Sequence, residues 1–267
     1  MITAASLAPW LGGALALGGV AVAVSRRREL MVRWCAWAVG VPLVTGAFWL
    51  GRPGAAAVAV VVAVIAALEY GGLLRLPPVD RAVLVAAVTG VVLAAWLAPG
   101  QVPRVVAVGA LAVAAVPLLA GDADQGLRRL GAGLLGLAWL SVLAALVPLG
   151  ASGLALFVAV SVADITAYFA GRRLGGPRLS PLSPAKRWSG TLAGAAAGLG
   201  TLAVLSVPAW PTALAVAVGG PAGDLLESMV KRGAQAKDAG RWLPGSGGLL
   251  DRIDSLLIAL AVLLVLS

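Results

Sequence analysis

Asp224 and Glu227 stand three residues apart, Asp251 and Asp254 repeat that spacing, and Lys231 follows Glu227 by four. On a helix such spacings place side chains on one face, so two helix ends each bring a pair of carboxylates to the same end of the molecule, where they can meet around a divalent cation. The segment between them carries Lys231, Arg232, Lys237 and Arg241, followed by Pro244-Gly245-Ser246-Gly247-Gly248. Ammonium and guanidinium groups bind phosphate, and a glycine turn just before a helix N-terminus offers backbone N–H groups to an anion. Oxygen ligands beside phosphate donors point to Mg²⁺. The competing explanation, a basic loop with ordinary ion pairs along a helix, leaves the four carboxylates unexplained.

A second group lies upstream. Asp164, Tyr168 and Gly171 share a stripe that ends in Gly171-Arg172-Arg173, and the next loop contains Lys186, Arg187 and Ser189. A carboxylate within an apolar segment costs on the order of 2.5–3.5 kcal/mol to insert, so Asp164 reads as a site residue. Glu69, beside Tyr70 near the inner end of the third apolar segment, reads either as a functional group or as a buried or interfacial structural one.

What positions these groups follows from composition. With 61% hydrophobic and 12% charged residues and a mean hydropathy of +1.00, the chain cannot be a water-soluble globule. Apolar runs recur at the length a helix needs to cross a hydrocarbon core of about 30 Å, without the short alternation of a β-barrel. The sequence predicts an all-α, polytopic transmembrane bundle. Its ten segments run roughly over 4–24, 32–50, 54–74, 82–98, 104–120, 130–149, 152–171, 190–209, 210–229 and 249–267. If Val207–Pro211 is a kink instead of a break, there are nine. The first run lacks a preceding basic cluster and reads as a retained helix. With ten crossings and both termini outside, every Lys and Arg except Arg52 and Arg104 falls in an inner loop, as orientation by positive charge requires.

This distribution assigns the net charge of +9 to membrane orientation and not to nucleic acid. The chain has no histidine, which excludes serine-histidine triads, histidine zinc sites and histidine bases, and its single Cys35 excludes an intrachain disulfide or cysteine metal cluster. Residues 1–150 read as hydrophobic scaffold helices. Residues 151–267 read as a catalytic region with inner loops at 172–189 and 230–250, within one integral membrane unit. Gly190, Gly194 and Gly198 recur every four residues and predict a smooth helix face for close packing.

Ser228-Met-Val-Lys231-Arg232, Lys237-Asp238, Leu243-Pro244-Gly245-Ser246-Gly247-Gly248 and Asp251-Arg252-Ile253-Asp254 together resemble the signature of the phosphatidate cytidylyltransferases, or CDP-diacylglycerol synthases. The stretch from Asp164 to Gly190 is similar to that family's Asp-bearing helix, Gly-Arg-Arg turn and Ser-Pro-x-Lys-x-Trp-x-Gly loop, and Glu69-Tyr70 to an early Glu-aromatic pair. The family's turn carries His where this chain has Ser246, and its loop carries Glu where this chain has Ser189. The resemblance implies transfer of CMP from CTP to phosphatidate or another lipid phosphate, and the loop charges would place that site at the cytoplasmic side of the cell membrane. Asp224 and Asp251 would hold Mg²⁺, with Asp254 and Asp164 as further contributors. Lys186, Arg187, Lys231, Arg232, Lys237 and Arg252 would bind the phosphates. Ser189, Asp238 and the turn Gly245 to Gly248 would complete the substrate site, while a second cation and a homodimer stay open. The other readings are a CTP-dependent polyprenol kinase, with Asp164 as base, a cation-coupled transporter, and an inactive paralogue.

Overall fold

A computed structural model describes residues 3–25, 28–207, 209–240 and 247–266, apart from the side chains of Glu29, Val32 and Arg33. The chain is an all-α polytopic bundle. Its first half comprises α1 (Ala4–Ser25), α2 (Arg28–Trp49), α3 (Arg52–Leu73), α4 (Pro78–Leu97), α5 (Val102–Leu119) and α6 (Gly126–Leu140), which continues through a 3₁₀ segment at Ser141–Ala145 into the single turn α7 (Leu146–Leu149). The second half comprises α8 (Ala151–Leu174), a hairpin of β1 (Arg178–Ser180) and β2 (Ser183–Arg187), α9 (Trp188–Val204), α10 (Trp210–Leu214), a π segment at Ala215–Gly219, α11 (Gly220–Gly233) and α12 (Leu250–Leu266). Among the described residues, seven helical stretches are long and apolar enough to cross a membrane. The α9 helix ends at Val204 and α10 starts at Trp210, so they are separate elements.

Small residues hold the bundle together. In lipid, apolar helices gain little from burying apolar surface, so close van der Waals contact must do that work. On α3, Ala55, Ala59, Ala63, Ala66 and Tyr70 form a fully buried stripe. The Tyr70 ring lies so close to Gly136 of α6 that an added Cβ there would sit 2.5 Å from it, and the Tyr70 hydroxyl donates to the Ala132 carbonyl at 2.8 Å. The stripe predicted at Gly190, Gly194 and Gly198 packs against α8, where Cβ atoms on the first two would lie 2.4 and 2.6 Å from the carbonyls of Ala167 and Ala163. A further stripe, Gly219 and Gly223, seats the end of the π segment and the start of α11 directly on α12. Cβ atoms there would meet Ala259 Cα at 2.7 Å and the Asp254 carbonyl at 2.3 Å.

The π segment precedes Pro221, whose ring clashes with the carbonyl four residues earlier and whose missing N–H cannot close the usual bond. A local widening accommodates both, and α11 follows it directly. The hairpin is a departure from an all-helical chain. Gly175 (φ 64°) and Gly176 (φ 97°) stop α8 in left-handed backbone conformations. The two strands then pair antiparallel, Ser180 opposite Ser183 and Arg178 opposite Arg187, across a turn at Pro181-Leu182.

Candidate active site

The contact between Gly223 and Asp254 brings the two acidic helices together at one level. Carboxylate oxygens of Asp224, Glu227 and Asp254 all lie within 4.8 Å of one another. Glu227 is 2% exposed and Asp254 5%, whereas Asp224 is half-buried. Two ammonium groups reach the cluster. Lys186, on β2, forms an ion pair with Asp224. Lys231, one turn beyond Glu227, donates to Glu227 Oε2 at 2.5 Å and to Asp251 Oδ1 at 3.0 Å. Burial holds the Lys186 ammonium below the ordinary lysine value, an effect opposed by the charges of Asp254, Asp164 and Glu227.

Asp251 adjoins Glu227 of this cluster and has further partners of its own. Its Oδ2 accepts from the Gly248 N–H at 2.7 Å, and both its oxygens are 3.1 Å from the Ala239 N–H. Asp251 therefore ties the segment after α11 to the first turn of α12, besides receiving Lys231. The sequence spacing makes Asp251 and Asp254 look alike, and it does not separate Glu227 from them.

Beside the cluster lies a cavity of about 440 Å³ whose walls include Asp164, Tyr168, Arg172, Lys186, Arg187 and Asp224. The α8 helix supplies Asp164 and the Tyr168–Arg172 pair, in which the guanidinium donates to the phenol oxygen at 2.5 Å and stands 5.4 Å from the ring centre. The hairpin supplies Lys186 and Arg187. It is fastened by Arg187 to the Gly176 carbonyl at 3.0 Å, by the Ser189 hydroxyl to the Gly175 carbonyl, and by Arg232 of α11 to the Leu182 carbonyl at 2.5 Å. Acidic cluster and basic wall thus meet at Asp224.

The other expected site residues are placed differently. Lys237 and Asp238 are exposed on the segment after α11. Gly247 and Gly248 pack on Asp251 and Glu69. Arg252 is two positions from Asp254, about 200° around the helix, and lines an apolar cavity of about 250 Å³ with Trp37 and Phe48. Arg241, Pro244, Gly245 and Ser246 lie outside the described residues. Glu69, ambiguous in sequence, accepts from the N–H groups of Leu249 and Leu250 at 3.0 and 2.7 Å.

A divalent cation suits this donor set. Three carboxylates gather their oxygens in a largely buried place, where a cation can compensate for the lost hydration. Glu227 Oε1 is buried and has no hydrogen-bond partner among the described residues. Carboxylate oxygens without sulfur or imidazole favour a hard ion such as Mg²⁺.

Residues 31–267 match the model of the cytidylyltransferase family. Over 117 residues the chain is 52% identical to the phosphatidate cytidylyltransferase of Brucella abortus biovar 1 (strain 9-941), a match that spans 40% of this chain and 43% of that protein. It is 44% identical over 151 residues to the Pseudomonas aeruginosa phosphatidate cytidylyltransferase, spanning 51% of this chain and 55% of that one. To phosphatidate cytidylyltransferase 4, chloroplastic, of Arabidopsis thaliana it is 39% identical over 108 residues, 37% of this chain and 28% of the relative. The matches thus span about half or less of each relative's length, whereas the family model runs almost from end to end of this chain, and on that match the chain belongs to the cytidylyltransferase family.

Proposed function

We propose that the protein transfers CMP from CTP to phosphatidate, giving CDP-diacylglycerol and pyrophosphate, at the cytoplasmic leaflet of the cell membrane. The observation that carries this reading is the carboxylate cluster Asp224–Glu227–Asp254 directly beside a cavity walled by Lys186, Arg187 and Arg172. One side suits a metal ion and the other suits phosphates. The substrates come from the names of the relatives.

The reaction joins a phosphate oxygen of the lipid to the α-phosphorus of CTP and breaks the bond from that phosphorus to the oxygen of the departing pyrophosphate. A phosphate monoester has a second pKa of about 6 and is already largely ionised near neutral pH, so a chain without histidine has the nucleophile it needs. The remaining barrier lies in bringing anions together and holding them in line. Asp224, Glu227 and Asp254 would hold Mg²⁺, which when bound neutralises triphosphate charge. Lys186, shared between Asp224 and the cavity, orients a phosphate oxygen against that cluster. Arg187 and Arg172 neutralise the rest, and Lys231 links Glu227 to Asp251. Ten crossings with both termini outside would place the hairpin and the segment after α11 on the cytosolic side, where CTP is available, and let the lipid arrive from the bilayer.

Purified protein with Mg²⁺, CTP and phosphatidate is expected to release pyrophosphate and form CDP-diacylglycerol. Chelation should stop the reaction, and Asp254→Asn should slow it by about 100-fold or more, the scale of losing a main electrostatic element. Phosphorylation of a polyprenol in place of phosphatidate would favour a kinase, and no turnover with any of these acceptors would end the transferase reading.

A further inference from the structure

Glu69 stands outside the carboxylate cluster, yet it is 6% exposed, about as buried as Asp254. Its Oε1 accepts from the Leu249 N–H at 3.0 Å and its Oε2 from the Leu250 N–H at 2.7 Å. These groups open α12, and the first N–H groups of a helix have no carbonyl of their own helix to bind. A carboxylate is the usual kind of partner at such a helix start. Here it comes from α3, about 180 positions earlier in the chain. The seat is close at two further points: a Cβ on Gly240 would lie 2.4 Å from Oε1 and one on Gly248 2.6 Å from Oε2. The same Gly248 gives its N–H to Asp251.

Why α12 needs such a hold follows from its packing on α11. Gly219 and Gly223 let the two backbones approach closely, but a smooth glycine surface has few side-chain ridges to lock one helix at a fixed height against the other. Asp254 lies one turn beyond Leu250, so a slide or fraying of the first turn of α12 carries it away from Asp224 and Glu227. The Lys231–Asp251 pair ties α12 to α11, and the hydrogen bonds from Leu249 and Leu250 to a buried scaffold residue add a stop against the rest of the bundle.

We propose that Glu69 is a positioning residue of the active site, which fixes the start of α12 and thereby sets Asp254 at the level of Asp224 and Glu227. The proposal rests on the metal-binding reading above. Glu69→Gln is the direct test, because a glutamine offers one carbonyl oxygen where two N–H groups need acceptors and turns an NH₂ toward the other. Gly248→Ala disturbs the same contact from the opposite side by one methyl group, and it decides the matter if Glu69→Gln does not give folded protein.

Hydrogen–deuterium exchange of peptides covering residues 247–253 is compared in the full chain, wild type against each variant, and Mn²⁺ binding is titrated as a spectroscopic substitute for Mg²⁺. Exchange in these peptides should rise about tenfold or more through local opening, while peptides from α8 and α9 stay unchanged, and Mn²⁺ should bind about tenfold more weakly. Unchanged exchange overturns the anchor. Raised exchange with wild-type Mn²⁺ affinity overturns the positioning role and leaves a merely structural contact. A wild type that holds no Mn²⁺ overturns the metal reading itself, together with the role that depends on it.

Discussion

Asp251 and Asp254 are one helical turn apart and keep different partners. Asp254 faces Asp224 and Glu227, whereas Asp251 receives Lys231 and the N–H groups of Ala239 and Gly248. Asp254→Asn removes a carboxylate oxygen from the proposed metal site. Asp251→Asn keeps one carbonyl acceptor for the backbone while weakening the hold on Lys231. We therefore expect Mn²⁺ affinity to fall at least about tenfold in Asp254→Asn and to change by less than about threefold in Asp251→Asn, although turnover falls in both. Equal loss of Mn²⁺ binding in the two variants would make Asp251 a ligand as well. The family resemblance placed Asp251 with Asp224 as metal holders and Asp254 as a further contributor, and the equal spacing of the two pairs gave no reason to rank them otherwise. The difference comes from Ala239 and Gly248, backbone groups whose approach to Asp251 no periodicity encodes. Glu227, one turn after Asp224, was visible as a member of the same face, but its place inside the cluster depends on the close approach of α12 at Gly223.

Among the elements, those built on short-range patterns were readable and those built on distant partners were not. The four-residue repeat at Gly190, Gly194 and Gly198 announced a close helix contact, and α8 fills it. Gly194→Ile would drive a branched side chain into the Ala163 carbonyl, and overpacking of this kind costs about 1–3 kcal/mol. Thermal unfolding should show a lowered Tm, and an unchanged Tm would mean that α8 and α9 separate freely. The hairpin at 178–187 escaped detection, since strands this short, interrupted by Pro181 and Pro184, lack any useful alternation. So did the link between α4 and α6, where Arg129 binds Asp80 at 3.0 and 2.6 Å and Asp122 at 2.7 Å. The hydrogen bond from Arg129 holds the Asp122 carboxyl below its ordinary value, so the folded chain favours its ionised form. That stabilisation is complete above the unfolded carboxyl pKa of about 3.9 and disappears as pH falls through the lower folded value. Asp122→Asn should accordingly lower Tm at pH 7, with the gap from wild type closing in acid. A gap that stays constant through the acid range would show that the Asp122 charge contributes nothing.

At the scale of the whole molecule, the distribution of positive charge carried more information than any single motif. Counting ten segments placed the 75–81, 128–129, 172–187 and 231–252 basic groups on one side, and the structure joins these regions by direct contacts. Arg128 donates to the Leu74 carbonyl at 3.2 Å, Arg232 to the Leu182 carbonyl at 2.5 Å, and Leu249 and Leu250 to Glu69. Helical order fixes which loops share an end. Which end faces the cytosol is a property of the cell, and it rests on the charge rule alone. Exposed Asp124, between α5 and α6, and exposed Gln101, between α4 and α5, lie at opposite ends of rods roughly 30 Å long. With Cys35, the chain's single cysteine, replaced by serine, Gln101→Cys should react in intact cells with a membrane-impermeant maleimide. Asp124→Cys should react only after the membrane is opened. The reverse pattern would turn the active site away from the cytosolic CTP pool, which the proposed transfer cannot tolerate. Labelling of both positions in intact cells would show that these ends do not lie on opposite sides of the bilayer, because one impermeant reagent cannot reach both faces.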